Sequence, residues 1–353
     1  MVRALGFGLL GLLCTLASPA VAQSRLFSDD SPLQIVISAP FPALVRAAPS
    51  RTDPYPATVS VTERGGAAQS LPIQLRARGL TRRTGGFCQF PPLALNFDKA
   101  TAQGSTFQGQ NRLKLVTYCR DAADYEQRIV LELLAYRLYN LLTPMSFRVR
   151  GADVTYRNVA GGGDGVTRFG FLIENVDDAA RRNQRKELET ASGQVSPKQL
   201  DARAAARAAL FEFMIGNLDW AFLAGPNPSE CCHNSRLIAA PEATPATATG
   251  VVPLPYDFDY SGFVDAPYAD PPASLKVNRV TDRLYRGYCA SNGEIPAVIE
   301  AFRARRADMM ALIDSEQRLS PGVRAKTGRF MDGFFAVLDD PERVQRQIVG
   351  RCR

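Results

Sequence analysis

The period of the apolar residues changes twice along this 353-residue chain, and those changes restrict the fold more than any single motif. From about residue 33 to 118, short β-rich runs ("LQIVIS", "ATVSVT", "LPIQLRARG", "LALNF", "RLKLVTY") are parted by Pro, Gly and Ser clusters, which predicts an antiparallel sheet. A single helix then intervenes: "DAADYEQRIVLELLAYRLYNLL" at 121–142 sets Leu131, Leu134, Leu138 and Leu141 at helical spacing, and Pro144 stops it. Strand character resumes in "SFRVRGADVTYRN" and "TRFGFLIEN". The intervening "GGGDG" at 161–165 reads as a hairpin loop, because it lacks the G-x-G-x-x-G spacing between strand and helix that a phosphate cradle needs.

Beyond residue 175 the pattern is mostly helical. "DARAAARAALFEFMIG" at 201–216 predicts a helix with Ala206, Leu210, Phe213 and Met214 on its buried side. A low-complexity loop at 240–250 precedes the buried-strand run "VVPLPYDFDYSGF", and helices are predicted near 296–316 and 323–337. The sum is an α+β plan of two lobes, a β-rich one over 23–175 with one inserted helix and a mainly helical one over 176–353 that carries acidic loops.

The first 22 residues have a basic start at Arg3, an apolar stretch from about Ala4 to Ala17, and Ala20 and Ala22 in an A-x-A arrangement. This predicts a cleaved secretory signal, a mature chain from near Gln23, and a periplasmic or extracellular location with no stable membrane anchor left. Removing Cys14 leaves six cysteines, an even number suited to disulfides in an oxidising compartment. Cys88 and Cys119 are the expected first pair, since each ends one of two neighbouring strand-like segments. Zinc on Cys231, Cys232 and His233 is disfavoured, because consecutive ligands fit tetrahedral corners poorly and no second Cys-x-x-Cys or His-x-x-x-His occurs. The net charge of +7 is spread along the chain instead of gathered in one arm, so no nucleic-acid partner is expected.

Polar residues cluster where the apolar helix at 201–216 ends. Asp219 follows it, Asn234 precedes the strand-like "SRLIAA", and Asp257 and Asp259 end the apolar run "VVPLPY". An Asp in a loop, then an Asn, then an Asp after a strand is the order used in phosphoryl transfer. One carboxylate handles the nucleophile's proton, and an Asn oxygen with a second carboxylate holds Mg²⁺. Each also has a plainer use: Asp219 as a turn cap, Asn234 as a loop stabiliser, Asp257 and Asp259 as a turn signal. A Ser-His-Asp hydrolase would need the only histidine, His233, and no G-x-S-x-G elbow is present.

"GNLDW…HNSRLI…PLPYDFDYSGF" resembles the catalytic segment of the spore-coat-H (CotH-like) family of atypical secretory kinases, and "RARG…FPPLALNF…NRLKLVTYC…YEQRIVLELLAYRL" resembles its N-terminal lobe. The resemblance implies a two-lobe protein-kinase-like fold binding ATP with Mg²⁺ or Mn²⁺. Asp219 would be the catalytic aspartate, Asn234 and Asp257 metal ligands, and Asp259 their support. Asn234 lies fifteen residues after Asp219, whereas ordinary kinases separate the two by about five. "FPPLALNF" has prolines where the family often carries basic residues, which leaves Lys114, Lys99 and Arg78 as phosphate-binding candidates and Glu126 or Glu132 as the partner of Lys114. Three functions are compatible with these residues: an exported phosphotransferase moving the ATP γ-phosphoryl group to a protein or small-molecule hydroxyl acceptor, an inactive binding or scaffold protein of the cell envelope, and a metal-dependent hydrolase.

Overall fold

A computed structural model describes residues 25–62, 66–84, 86–161 and 163–353; the expected signal over 1–22 lies outside them. Its N-terminal half is built on β1 (Leu33–Ala39), β2 (Tyr55–Thr62), β3 (Gln69–Ala77), β4 (Leu93–Phe97), β5 (Arg112–Val116), β6 (Val149–Asn158) and β7 (Val166–Ile173). These seven strands form a closed barrel in the order β1-β2-β3-β4-β5-β7-β6. Neighbours are antiparallel except at the seam, where β1 runs parallel to β6 from Leu33↔Ala152 to Ala39↔Asn158. Period-two alternation drives the closure: β1 turns Leu33, Ile35, Ile37 and Ala39 inward, β3 turns Leu71, Ile73, Leu75 and Ala77 inward, and both belong to one buried cluster. β6 and β7 pair antiparallel on either side of the glycine run, the hairpin its composition predicts. Gly170 allows β7 to approach β5 closely, since a Cβ there would lie 2.6 Å from the Val116 carbonyl oxygen.

Helices and a smaller sheet complete the chain. α1 (Phe41–Ala47) and the short α2 (Thr81–Thr84) lie between barrel strands, and α3 (Ala123–Leu142) packs on β6 and β7. After α4 (Val176–Arg182) come β8 (Lys186–Glu187), α5 (Ala202–Ile215), β9 (Ser235–Ala239) and β10 (Val252–Pro255), the three strands pairing in the order β10-β9-β8. The chain ends in α6 (Ile295–Ala304), α7 (Arg306–Ser315), α8 (Pro321–Leu338) and α9 (Pro341–Gln347). The helical stretch expected near 296–316 consists of two helices that meet at Arg305, and the strand expected in "VVPLPYDFDYSGF" covers only Val252–Pro255.

The expected two-lobe protein-kinase-like fold is corrected by this architecture. β1 to β7 form a closed mixed barrel because β1 pairs along both edges, so the barrel has no open edge. A second apolar core runs without a break from α3 and β7 into α5, α6 and α8, so no helical lobe stands apart.

Disulfides join Cys88 to Cys119, as the strand positions predict, and also Cys231 to Cys232 and Cys289 to Cys352. The Cys231–Cys232 bond takes up both sulfurs that a zinc site would need. These bonds are compatible with an exported protein, and no described helix is long and apolar enough to cross a membrane.

Candidate active site

Where α5 ends, the chain is turned sharply. Gly216 adopts the left-handed conformation at φ 64°, and its N–H and that of Asn217 close on the Phe213 and Glu212 carbonyls. Asn217 is fully buried and holds the next turn from inside: its Oδ1 accepts the Asp219 N–H at 3.0 Å, and its carbonyl accepts Trp220 Nε1–H at 3.0 Å. Arg286 grips the same turn from the far side, donating to the Leu218 and Trp220 carbonyls with its guanidinium 5.2 Å from the Trp220 ring. An asparagine and a buried tryptophan therefore fix the backbone that presents Asp219.

The Asp219 carboxylate accepts His233 Nε2 at 2.7 Å and Asn234 Nδ2 at 2.9 Å. The hydrogen bond from Asp219 raises the His233 pKa above its usual value, with burial opposing. Asn234 Nδ2 also donates to the Asp219 carbonyl at 2.6 Å. Because both partners are acceptors, the amide must point its nitrogen at Asp219, which leaves Oδ1 without a donor among the described residues. The fourteen residues between Asp219 and Asn234 fold back on themselves, with Ala221 and His233 exchanging backbone hydrogen bonds. A cavity of about 670 Å³ opens beside this loop, its walls including Glu187, Glu189, Glu230, His233, Arg236 and Tyr256.

Asp257 approaches from the other side. The Tyr256 N–H donates to the Asn234 carbonyl, Asp257 sits at φ 65°, and its N–H donates to the Tyr136 hydroxyl at 2.9 Å. Phe258, fully buried, anchors the segment between Tyr136 and Phe211, with ring centroids 4.6 and 5.4 Å away. Asp259 is buried, and its Oδ2 accepts the Tyr268 hydroxyl at 3.1 Å. With Glu132 of α3, Asp257 and Asp259 bring carboxylate oxygens within 4.8 Å of one another, a group that could hold a metal ion. Arg82 of α2 reaches into this group, 3.5 Å from Glu132, 3.9 Å from Asp257 and 3.4 Å from Asp259. Burial pushes the Glu132 and Asp259 carboxyls upward, and the Arg82 charge opposes this.

A cationic pair faces Asp257 from the barrel. Lys114, on β5, holds its ammonium 4.0 Å from the centre of the Tyr256 ring and has no hydrogen bond or ion pair among the described residues. Burial, and next the nearby Arg78, lower its pKa to about 7; Asp257 acts the other way. Arg78 keeps Nε and Nη2 buried without a hydrogen-bond partner.

The structure thus brings Asp219 and Asn234 into contact, joins Asp257 and Asp259 to one acidic group, and sets Lys114 near Asp257. It does not bring Glu126 to Lys114. Glu126 lies half-buried in the first turn of α3 with no side-chain partner among the described residues, and Glu132 is the helix acid in the group. Lys99 is exposed in the turn after β4. Arg82, Tyr136, Tyr268 and Arg286 carry no sequence signal of a site role. No protein-family model matches the chain, and no curated protein matches it.

Proposed function

We propose that the protein is a metal-assisted phosphotransferase that moves the γ-phosphoryl group of ATP to a hydroxyl acceptor, in an exported compartment. The observation that carries this reading is the division of charge about Asp257. On the barrel side Arg78 keeps two buried nitrogens without a hydrogen-bond partner and half-buried Lys114 has no hydrogen bond or ion pair among the described residues; on the other side Asp219 and Asn234 are in contact, and the Asp257 segment is tied to Asn234 through the Tyr256 N–H. Buried donors with no acceptor are costly, and an anionic oxygen supplies what they lack.

In this reading Lys114 and Arg78 bind the phosphate oxygens. Asp219 has lone pairs beyond those given to His233 and Asn234, and accepts the acceptor's hydroxyl proton while the acceptor oxygen bonds to phosphorus and the β–γ bridging oxygen departs with its electron pair. Mg²⁺ or Mn²⁺, held by Asn234 Oδ1 and Asp257 with Asp259 in support, would neutralise phosphate charge. The polar cavity beside His233 is wide enough for a protein side chain or a small hydroxyl compound to enter.

The experiment is thermal stabilisation by ATP and Mn²⁺, together and singly. A ligand present at a hundred times its dissociation constant adds about 2.7 kcal/mol to stability. The parent should be stabilised by the two together more than by either alone, and Lys114→Met and Arg78→Met should lose the ATP-dependent part. Absence of any ATP-dependent shift in a folded parent refutes the reading.

A further inference from the structure

We propose that the Glu132–Asp257–Asp259 group is a cation-exchange site, closed in this structure by the guanidinium of Arg82 and opened by a divalent cation of the Mg²⁺ or Mn²⁺ class that displaces it. The inference does not depend on phosphoryl transfer.

Arg82 occupies the group without satisfying it. None of its three approaches to the carboxylates, at 3.4–3.9 Å, forms a hydrogen bond, and its Nη1 is buried with no partner. Glu132 is 1 % exposed and has both carboxylate oxygens buried with no hydrogen bond. One guanidinium faces three carboxylates and hydrogen-bonds to none of them. A hard divalent ion takes such oxygens directly and completes its shell with water.

The carboxylates keep their positions when Arg82 leaves. Asp259 is held by the Tyr268 hydroxyl, Asp257 by its N–H on the Tyr136 hydroxyl and by Phe258, and Glu132 by its place in the buried turns of α3. The arm bearing Arg82 is short and largely exposed. It runs between Gly79 and Gly86, both at positive φ, and is fixed beyond by β3 and by the Cys88–Cys119 bond. Leu80 is 71 % exposed and Phe87 37 %, while Arg82 is the one buried residue of α2. Arg83 donating to the Ala48 carbonyl, Arg120 donating to the Phe87 carbonyl and Phe87 against Tyr268 at 6.1 Å hold the arm as well, so a cation that displaces the guanidinium would release the short helix Thr81–Thr84 and leave these outer contacts in place.

The test uses the full chain with Mn²⁺ alone, combining calorimetry with hydrogen exchange over 79–90. Mn²⁺ should bind the parent and speed exchange in that segment. Where the open arm is about a tenth populated or less, its closure weakens apparent affinity about tenfold or more. Arg82→Met should therefore bind Mn²⁺ at least about tenfold more tightly, with no metal-dependent change in exchange, and Arg82→Met with Glu132→Gln should lose the gain. Equal affinity of parent and Arg82→Met, unchanged exchange in the parent on binding, or no Mn²⁺ binding by the parent at millimolar concentration overturns the proposal. If Arg82→Met does not fold, the exchange response of the parent decides alone.

Discussion

Removing one oxygen atom, by Tyr136→Phe, tests how Asp257 is held. The Tyr136 ring packs on Phe171 and Phe258 at 5.7 and 4.6 Å and is 1 % exposed, so phenylalanine keeps these contacts and leaves no sizeable cavity. What disappears is the acceptor for the Asp257 N–H, 2.9 Å away. An orphaned buried donor costs about 1–3 kcal/mol. Because Asp257 is a third exposed at its side chain, water can reach part of the site, and the expected loss is near the low end, about 1–1.5 kcal/mol. Asp257 at φ 65° also stores strain that the hydroxyl helps to hold. Asp257→Gly relieves that strain, so the two substitutions should be non-additive in a double-mutant cycle. Urea denaturation followed by the fluorescence of Trp220, the only tryptophan and itself buried, provides the measurement. A loss below about 0.3 kcal/mol, or strict additivity with Asp257→Gly, would refute the view that Tyr136 pins Asp257.

Because His233 is the only histidine, its ring protons can be followed by NMR without assignment. Its midpoint should lie above the usual 6.5 and fall back in Asp219→Asn; the stability it lends is complete below 6.5 and is lost as pH rises through the raised midpoint. Lys114 has the opposite sign: with its folded pKa near 7 against 10.5, the burial penalty is complete below 7 and relieved between 7 and 10.5. ATP affinity should fall as pH rises beyond about 7.5, where the terminal phosphate is already ionised. Lys114→Met should abolish that slope, and a slope that persists in Lys114→Met assigns the titration to another group. Breaking the Cys88–Cys119 bond by double serine substitution frees a loop of sequence separation 31, with an expected cost of about 3–4 kcal/mol by denaturant titration.

Local elements were readable because they depend on local pattern. The leucine spacing announced α3, the Ala-rich amphipathic run announced α5, and the glycine run announced the β6–β7 hairpin. Barrel closure was not readable: its seam pairs Leu33 with Ala152 in parallel, and no local periodicity records which distant strand completes an edge. The kinase-like expectation failed at this same point, since alternating strands suit an open sheet as well as a barrel. In the candidate site, the order Asp219, Asn234, Asp257 was visible, but which acid of α3 would join them was not. Residues 129–136 are all buried, so helix periodicity gives no unique face and cannot separate Glu132 from Glu126. Arg82 was hidden for another reason. A pair of arginines in a loop rich in glycine looks solvent-exposed, and only the fold carries one of them into the acidic group.

The most direct test of the proposed chemistry compares phosphoryl transfer by the parent and by Asp219→Asn. Asparagine preserves the shape of the loop and removes an ion pair whose members are each about one-third exposed. The expected stability cost is therefore about 1 kcal/mol or less. Loss of a positioned proton acceptor should slow transfer about 10²–10⁴-fold. With γ-labelled ATP, Mn²⁺ or Mg²⁺, generic protein acceptors and autophosphorylation as readouts, the parent should transfer label and a folded Asp219→Asn protein should retain nucleotide binding while losing nearly all transfer. Transfer at the parental rate by Asp219→Asn, or none by a parent that binds ATP and metal, would contradict the assignment.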